Sequence, residues 1–295
     1  MSICWLNGEL MPVDQARISV LDHGLLYGDG IFEGIRFYRQ TAFRLEQHLQ
    51  RLHDSAAAIG LTLPYPMQDL YTAIADVIQA FAEDDGYLRL VITRGTGPLG
   101  INPAQCSRGT CFIIADKAGF IDDEIKQQGA RLIIASTRRI PPDCLDPRIK
   151  SLDYLNHILA RMEANHAAAD EAILLNSQGH VTEGSTDNIF IVKQGCLFTP
   201  PDSDGALQGI TRGIIFELAA ELGITCREKS LAPYDLYTAD ECFLTGTAME
   251  LIPVREIDGR HMASCPGDIF KQLLNAFKAR IQAELDKPEK QRAAS

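Results

Sequence analysis

The chain has 295 residues, 28 Lys and Arg against 39 Asp and Glu, a formal net charge of −11, and 46% apolar residues. So large a surplus of acid argues against nucleic acid and an anionic membrane surface as partners, because both reward Lys and Arg. Two domains are expected at this length, and the apolar and charged fractions are those of an ordinary soluble globular protein.

Read from the N-terminus, Ile3 to Pro12 is a hairpin turning at Asn7-Gly8, the strongest short hairpin signal there is. Ile31 to Tyr38 alternates as a strand, and Phe43 to Ile59 carries Leu45, Leu49, Leu52 and Ala56 on one helical face. Met67 to Ala82 is a second helix. Tyr87 to Thr93 and Gly109 to Ala115 are strands, the latter nearly all apolar and therefore buried. Polar residues from Asp116 to Gly129 interrupt the strands, which predicts a first domain at 1–118, a linker at 119–129 and a second, larger domain at 130–295. Beyond it follow a strand at Ala130 to Ala135, a helix at Asp153 to Ala168, strands at Glu171 to Leu175 and Asn188 to Val192, a helix at Gly213 to Leu222, a strand at Glu241 to Leu244 and a closing helix at Gly267 to Leu285. Strands and helices mixed without regular alternation argue for an α+β architecture in two domains.

The eight cysteines are scattered with no CxxC, so they read as reduced, small apolar residues of a cytoplasmic protein, and no metal site is expected. The first residues lack the basic start and apolar core of a secretory leader. No run reaches the roughly 20 apolar residues that span a bilayer.

Four segments carry the chemistry. Arg148-Ile-Lys-Ser-Leu-Asp-Tyr-Leu-Asn156 sets Lys150 in a run taken to open a helix. An amine that is partly desolvated beside other cations loses its proton and becomes a nucleophile toward a carbonyl cofactor. Val181 to Val192 places Glu183 just before an apolar strand, Gly209-Ile-Thr-Arg-Gly213 opens a helix, and Leu244-Thr-Gly-Thr-Ala248 follows a short strand. Amine, carboxylate and an anion-binding helix start with hydroxyls from Thr211 and Thr247 are what pyridoxal phosphate requires.

Earlier in the chain stand Tyr27-Gly-Asp-Gly-Ile-Phe-Glu-Gly-Ile-Arg36, His48-Leu-Gln-Arg-Leu52, Tyr87-Leu-Arg89 and Arg94-Gly-Thr-Gly-Pro-Leu-Gly100. With the four segments in this order, the chain resembles the fold-type IV (class IV) pyridoxal phosphate aminotransferases from Trp5 to about Ala283, and most closely the branched-chain amino acid aminotransferases. The resemblance implies the two-domain fold of the D-amino acid aminotransferase type, with pyridoxal 5'-phosphate at the domain interface. It implies that Lys150 forms the Schiff base and then shuttles the α-proton. Arg51 would clamp the phosphate, with Gly209, Ile210, Thr211, Gly246 and Thr247 forming its cup. Glu183 would keep the pyridine nitrogen protonated. Tyr154 would bond the phenolic oxygen, one residue earlier than the tyrosine of several relatives; four residues from Lys150, it could share that residue's helical face.

For the substrate, the resemblance implies an apolar pocket walled by Tyr27, Phe32, Gly34, Arg36, Tyr87, Arg89 and Leu99. Tyr87 and the amides of Thr247 and Ala248 would take the carboxylate. Relatives that act on D-amino acids carry an arginine and a histidine in the loop where this chain has Leu99 and Ile101, so leucine, isoleucine and valine are expected, with 2-oxoglutarate as acceptor. Met249, where many relatives have a small residue, could reshape the pocket. A D-amino acid or (R)-amine transaminase, or an aminodeoxychorismate lyase, is the alternative within the fold. At least a homodimer is implied, with Tyr27 and the Leu99 loop reaching the partner's site.

Overall fold

A computed structural model describes residues 2–119 and 122–286. The chain divides into two compact units, the first taking in the chain up to Ala118, the segment Ile149–Asp153 and the chain from Ala283 on, the second Gly119–Arg148 and Tyr154–Gln282.

In the first unit, strands β1 (Ile3–Leu6) and β2 (Glu9–Pro12) form the expected hairpin, with positive φ at both Asn7 and Gly8. A short helix α1 (His23–Tyr27) leads into β3 (Gly30–Tyr38) and β4 (Thr41–Ala42), followed by helices α2 (Leu45–Ala58) and α3 (Met67–Phe81) and strands β5 (Gly86–Thr93) and β6 (Thr110–Asp116). The sheet runs β2-β1-β6-β5-β3-β4, with every neighbouring pair antiparallel. Its side chains alternate. Ile31, Ile35, Phe37, Leu88, Leu90 and Ile92 form a core with Leu49 and Leu52 of α2 and Leu70, Ile74, Val77 and Phe81 of α3. Each such side chain contributes roughly 1.5–3 kcal/mol through burial, so packing rather than helix propensity holds α2 and α3 in place.

The second unit holds α4 (Asp123–Gln128), β7 (Ala130–Arg138), α5 (Leu155–His166), β8 (Glu171–Leu175), β9 (Val181–Gly184), β10 (Asn188–Lys193), β11 (Cys196–Thr199), α6 (Ile210–Glu221), β12 (Cys226–Glu228), α7 (Pro233–Tyr237), β13 (Glu241–Gly246), β14 (Glu250–Ile257) and β15 (Arg260–His261). Helix α8 (Asp268–Leu285) closes the described chain. The sheet runs β12-β11-β10-β13-β14-β7-β8-β9, with β15 beside β14. β7 is parallel to both β8 and β14, whereas β10, β13 and β14 pair antiparallel. Its core includes Leu132, Ile173, Val181, Ile189, Ile191, Leu244, Ile252 and Val254.

Three local readings differ from the sequence expectation. Lys150 does not open a helix: Phe32 N–H donates to Lys150 O at 3.0 Å, Leu152 N–H to Gly30 O at 2.9 Å, and Ser151 bridges Ile31. A segment whose amides and carbonyls serve the start of β3 cannot also close helical turns, so α5 begins at Leu155 and the shared-face argument for Tyr154 falls. Glu183 does precede the apolar strand at 188–192, but it lies within a strand of its own, β9, that the sequence reading did not include. Residues 123–128, inside the segment expected as a linker, form α4 in the second unit.

Among the described residues no helix is long and apolar enough to cross a membrane, and no group of three or more His, Cys, Asp or Glu could hold a metal ion.

Candidate active site

The expected site residues fall into two sets, one in each unit. In the first, the extended segment beside β3 sets the Lys150 ammonium 4.5 Å from the centre of the Phe32 ring. Arg89 on β5 places its guanidinium 4.4 Å from the centre of the same ring, so Phe32 has both nitrogen groups within cation–π distance. The Lys150 N–H donates to Ser55 Oγ of α2 at 3.2 Å, which ties the lysine backbone to that helix.

Phe32, Gly34 and Arg36 alternate on one face of β3, and the antiparallel register sets Arg89 opposite Gly34 and Tyr87 opposite Arg36. Five of the residues expected to wall the substrate pocket therefore share a sheet face. Gly34 leaves the space that the Tyr87 hydroxyl fills, since a Cβ there would lie 2.0 Å from Tyr87 Oη. Tyr87 is 9% exposed, and burial pushes its phenol above the usual range although Arg89 opposes the shift. Tyr27 lies at the end of α1 and its Oη accepts from Gly100 N–H at 2.9 Å, joining it to the loop that carries Leu99. That loop is anchored further back by Arg94, whose Nε and Nη2 each donate to Asp29 at 2.9 Å. Tyr27 and Leu99 remain 41% and 75% exposed.

Arg51 is on α2, as expected, and faces a residue whose role the sequence left unread. Its Nε and Nη2 fork onto the carboxylate of Glu33 at 2.7 and 2.8 Å, and His48 Nδ1 donates to the same carboxylate at 2.7 Å. Glu33 is fully buried; burial would raise its pKa, but Arg51 and His48 more than offset this and hold it at about 2. Burial pushes His48 down despite Glu33, and because a carboxylate only accepts, Nδ1 is the nitrogen that carries a proton here. Glu33 thus fixes the guanidinium of Arg51 in plane and direction. The signal in the sequence is an acid on the apolar face of β3, between Ile31 and Ile35, matched by His48 and Arg51 at helical spacing.

In the second unit Glu183 is buried on β9. Its Oε1 accepts from Arg139 Nε at 3.0 Å and its Oε2 from Leu207 N–H at 2.9 Å. Arg139, at the end of β7, also donates to Gly205 O at 3.2 Å. Two donors from different elements hold this carboxylate, and Arg139 had not been singled out from the sequence. Asp187, in the turn after β9, is buried as well, and burial with the charges of Glu171 and Glu183 pushes it well above the usual carboxylate range.

Tyr154 caps α5, its ring stacked on His157. Gly209 is the N-cap of α6, where a Cβ would meet Asn188 Oδ1 at 2.0 Å. Ile210 and the buried Thr211 form the first turn, so the helix presents unpaired amides and its positive dipole end at Gly209. Gly246 ends β13, and Thr247 and Ala248 form the turn into β14. Met249 packs back on this turn, its Cγ 3.3 Å from where a Cβ on Gly246 would stand.

The family model for amino-transferase class IV matches residues 30–257. The chain is 46% identical over 275 residues to a putative branched-chain-amino-acid aminotransferase of Methanocaldococcus jannaschii, covering 93% of this chain and 94% of that one. The crystal structure of the Escherichia coli branched-chain amino acid aminotransferase superposes with a TM-score of 0.91 at 36% identity, covering 94% of this chain and 93% of that one. That of the T.th. branched-chain amino acid aminotransferase complexed with N-(5'-phosphopyridoxyl)-L-glutamate gives 0.89 at 33% identity, covering 97% and 95%. With sequence, fold and residue chemistry in agreement, the chain belongs to the class IV aminotransferase family, and its two-sheet α+β architecture is that of the fold-type IV branched-chain enzymes.

Proposed function

We propose that the protein transfers the amino group of leucine, isoleucine and valine to 2-oxoglutarate with pyridoxal 5'-phosphate as cofactor. The observation that carries this reading is the face of β3 and β5, where Phe32, Gly34 and Tyr87 offer apolar and aromatic surface and Arg36 and Arg89 offer cations. An apolar side chain and the second carboxylate of 2-oxoglutarate can both be met there, as an enzyme using both in alternate half-reactions requires. The phosphopyridoxyl-glutamate adduct in the T.th. enzyme supports the acidic partner.

The donor set fits the cofactor. Glu183, held by Arg139 and the Leu207 amide, suits a protonated pyridine nitrogen. Within the second unit the N-terminus of α6 with Thr211 and the turn at Gly246 and Thr247 suit a phosphate, and within the first unit the guanidinium of Arg51 is a donor of the same kind. When bound, pyridoxal phosphate supplies an electron sink for the substrate's α-carbon. Lys150 would supply the amine that holds the cofactor's aldehyde group, and its amine would serve as the base that moves the proton at the substrate's α-carbon. Tyr154 orients the cofactor's phenolic oxygen. The Thr247 and Ala248 amides are donors for the substrate carboxylate, and Tyr87 is a donor of the same kind in the first unit. Tyr27 and Leu99 belong to a partner-facing element of a homodimer.

The test is a visible absorption titration of the cofactor-loaded protein. L-Leucine is expected to bleach the long-wavelength band and 2-oxoglutarate to restore it, with Lys150→Ala showing neither. Bleaching by D-alanine but not by L-leucine would refute the branched-chain assignment.

A further inference from the structure

We propose that His157 is a positioning residue that holds the Tyr154 phenol in a fixed plane and at a fixed spacing from Glu183. The inference rests on Tyr154 and Glu183 being the partners of the two polar edges of the cofactor ring. Tyr154 is the N-cap of α5, with φ −103° and ψ 3°, and its carbonyl accepts from Ile158 N–H at 3.0 Å, so the first helical turn sets its backbone while the plane of its ring is set by what packs on it. His157, one turn further along, lies flat on it, ring centroids 4.5 Å apart and planes 16° apart. The imidazole is 6% exposed, and its Nδ1 is 2.8 Å from Ser185 O. A carbonyl oxygen only accepts, so Nδ1 carries the proton and donates; stack and hydrogen bond together fix both the tilt and the rotation of the imidazole.

Ser185 is two residues after Glu183, and its N–H donates to Glu171 Oε1 at 3.2 Å. Its peptide groups are therefore held from two sides, by Glu171 of β8 and His157 of α5. Glu171 also accepts from Ala172 N–H and faces Arg161 of α5 at 3.4 Å. Through this chain the plane of the Tyr154 ring is referred to the backbone that carries Glu183. Both side chains must address one rigid heterocycle, and a loose phenol would meet its oxygen at variable distance and angle.

The experiment uses the cofactor-loaded enzyme and four variants. Tyr154→Phe sets the reference, His157→Phe keeps the stack without the donor, His157→Asn keeps a donor in place of Nδ1 without the stack, and His157→Ala removes both. The readouts are the pH midpoint of the visible absorption band and the retention of pyridoxal phosphate on dilution. His157→Ala is expected to move the midpoint in the same direction as Tyr154→Phe and to weaken retention by about 2- to 12-fold, the range of one aromatic pair. His157→Phe and His157→Asn should each recover part of both. A wild-type midpoint in all three His157 variants, with Tyr154→Phe shifted, overturns the positioning role while leaving the reading of Tyr154 intact. An unshifted Tyr154→Phe overturns that reading, and the role of His157 with it.

Discussion

At the residue scale the consequential group is Glu33, because a buried carboxylate shared by Arg51 and His48 couples the arginine proposed to meet the phosphate to the core of the first unit. Its pKa in the folded chain is about 2, against 4.5 ordinarily. A lowered pKa contributes stability that is present above the unfolded value and lost as pH falls toward the folded one, so Glu33 stabilises the fold at neutral pH and progressively less below about pH 4.5. Glu33→Gln removes the charge that faces Arg51 and is expected to cost about 3–5 kcal/mol at pH 7, the range for breaking a buried pair. Urea unfolding at pH 7 and pH 3.5 checks this: the variant should lose less stability between the two than the parent chain does. An equal loss would mean that the acid sensitivity arises elsewhere.

At the element scale the pairing of β3 with β5 decides how wide the substrate face is. Gly34 sits opposite Arg89, and the hydroxyl end of Tyr87 occupies the space a side chain there would take. Gly34→Ala is expected to push the Tyr87 phenol aside, at a stability cost of about 1 kcal/mol, the low end for overpacking because the displaced atom is the end of a side chain rather than backbone. Since no cofactor-binding residue moves, pyridoxal phosphate loading should be unchanged while KM for leucine rises. Steady-state kinetics beside a cofactor titration check it; a variant that loses cofactor would place Gly34 in cofactor binding instead. The elements bearing on the site were unevenly legible. The β1–β2 turn, α2, α3 and α6 follow from Asn-Gly or from long periodic runs. β14 was missed because Pro253 interrupts it, and Pro in a run argues against an inner strand. The helix extended back to Lys150 was an error of the same origin: local pattern cannot register that backbone groups of 150–152 are claimed by residues far away in sequence.

At the scale of the whole molecule, the first unit exposes Val20, Leu25, Leu99 and Ile101, at 75%, 59%, 75% and 83%. Exposed side chains of this size gathered near α1 and the loop held by Tyr27 and Arg94 are what a subunit interface presents. A homodimer is part of the proposal above, and sedimentation at micromolar protein should then give twice the chain mass or a multiple of it. Val20→Glu together with Leu99→Glu is expected to weaken association at least about tenfold, by burying two unpaired charges, and to lower turnover along with it. A fully active monomer would remove Tyr27 and Leu99 from the partner's site.

By itself the sequence determined the α+β class, the strongly periodic elements and the residue types able to do the chemistry, because local pattern and motif order are properties of the chain alone. Only the tertiary structure decided which groups share a carboxylate, which sheet face carries the aromatic and cationic wall, and where Lys150 leaves extended backbone. Glu33 with Arg51, Glu183 with Arg139, and His157 with Ser185 are 18, 44 and 28 residues apart. Charge and hydrogen bonding act through space at a few ångströms, and no local periodicity in the chain encodes which distant partner will fill that distance.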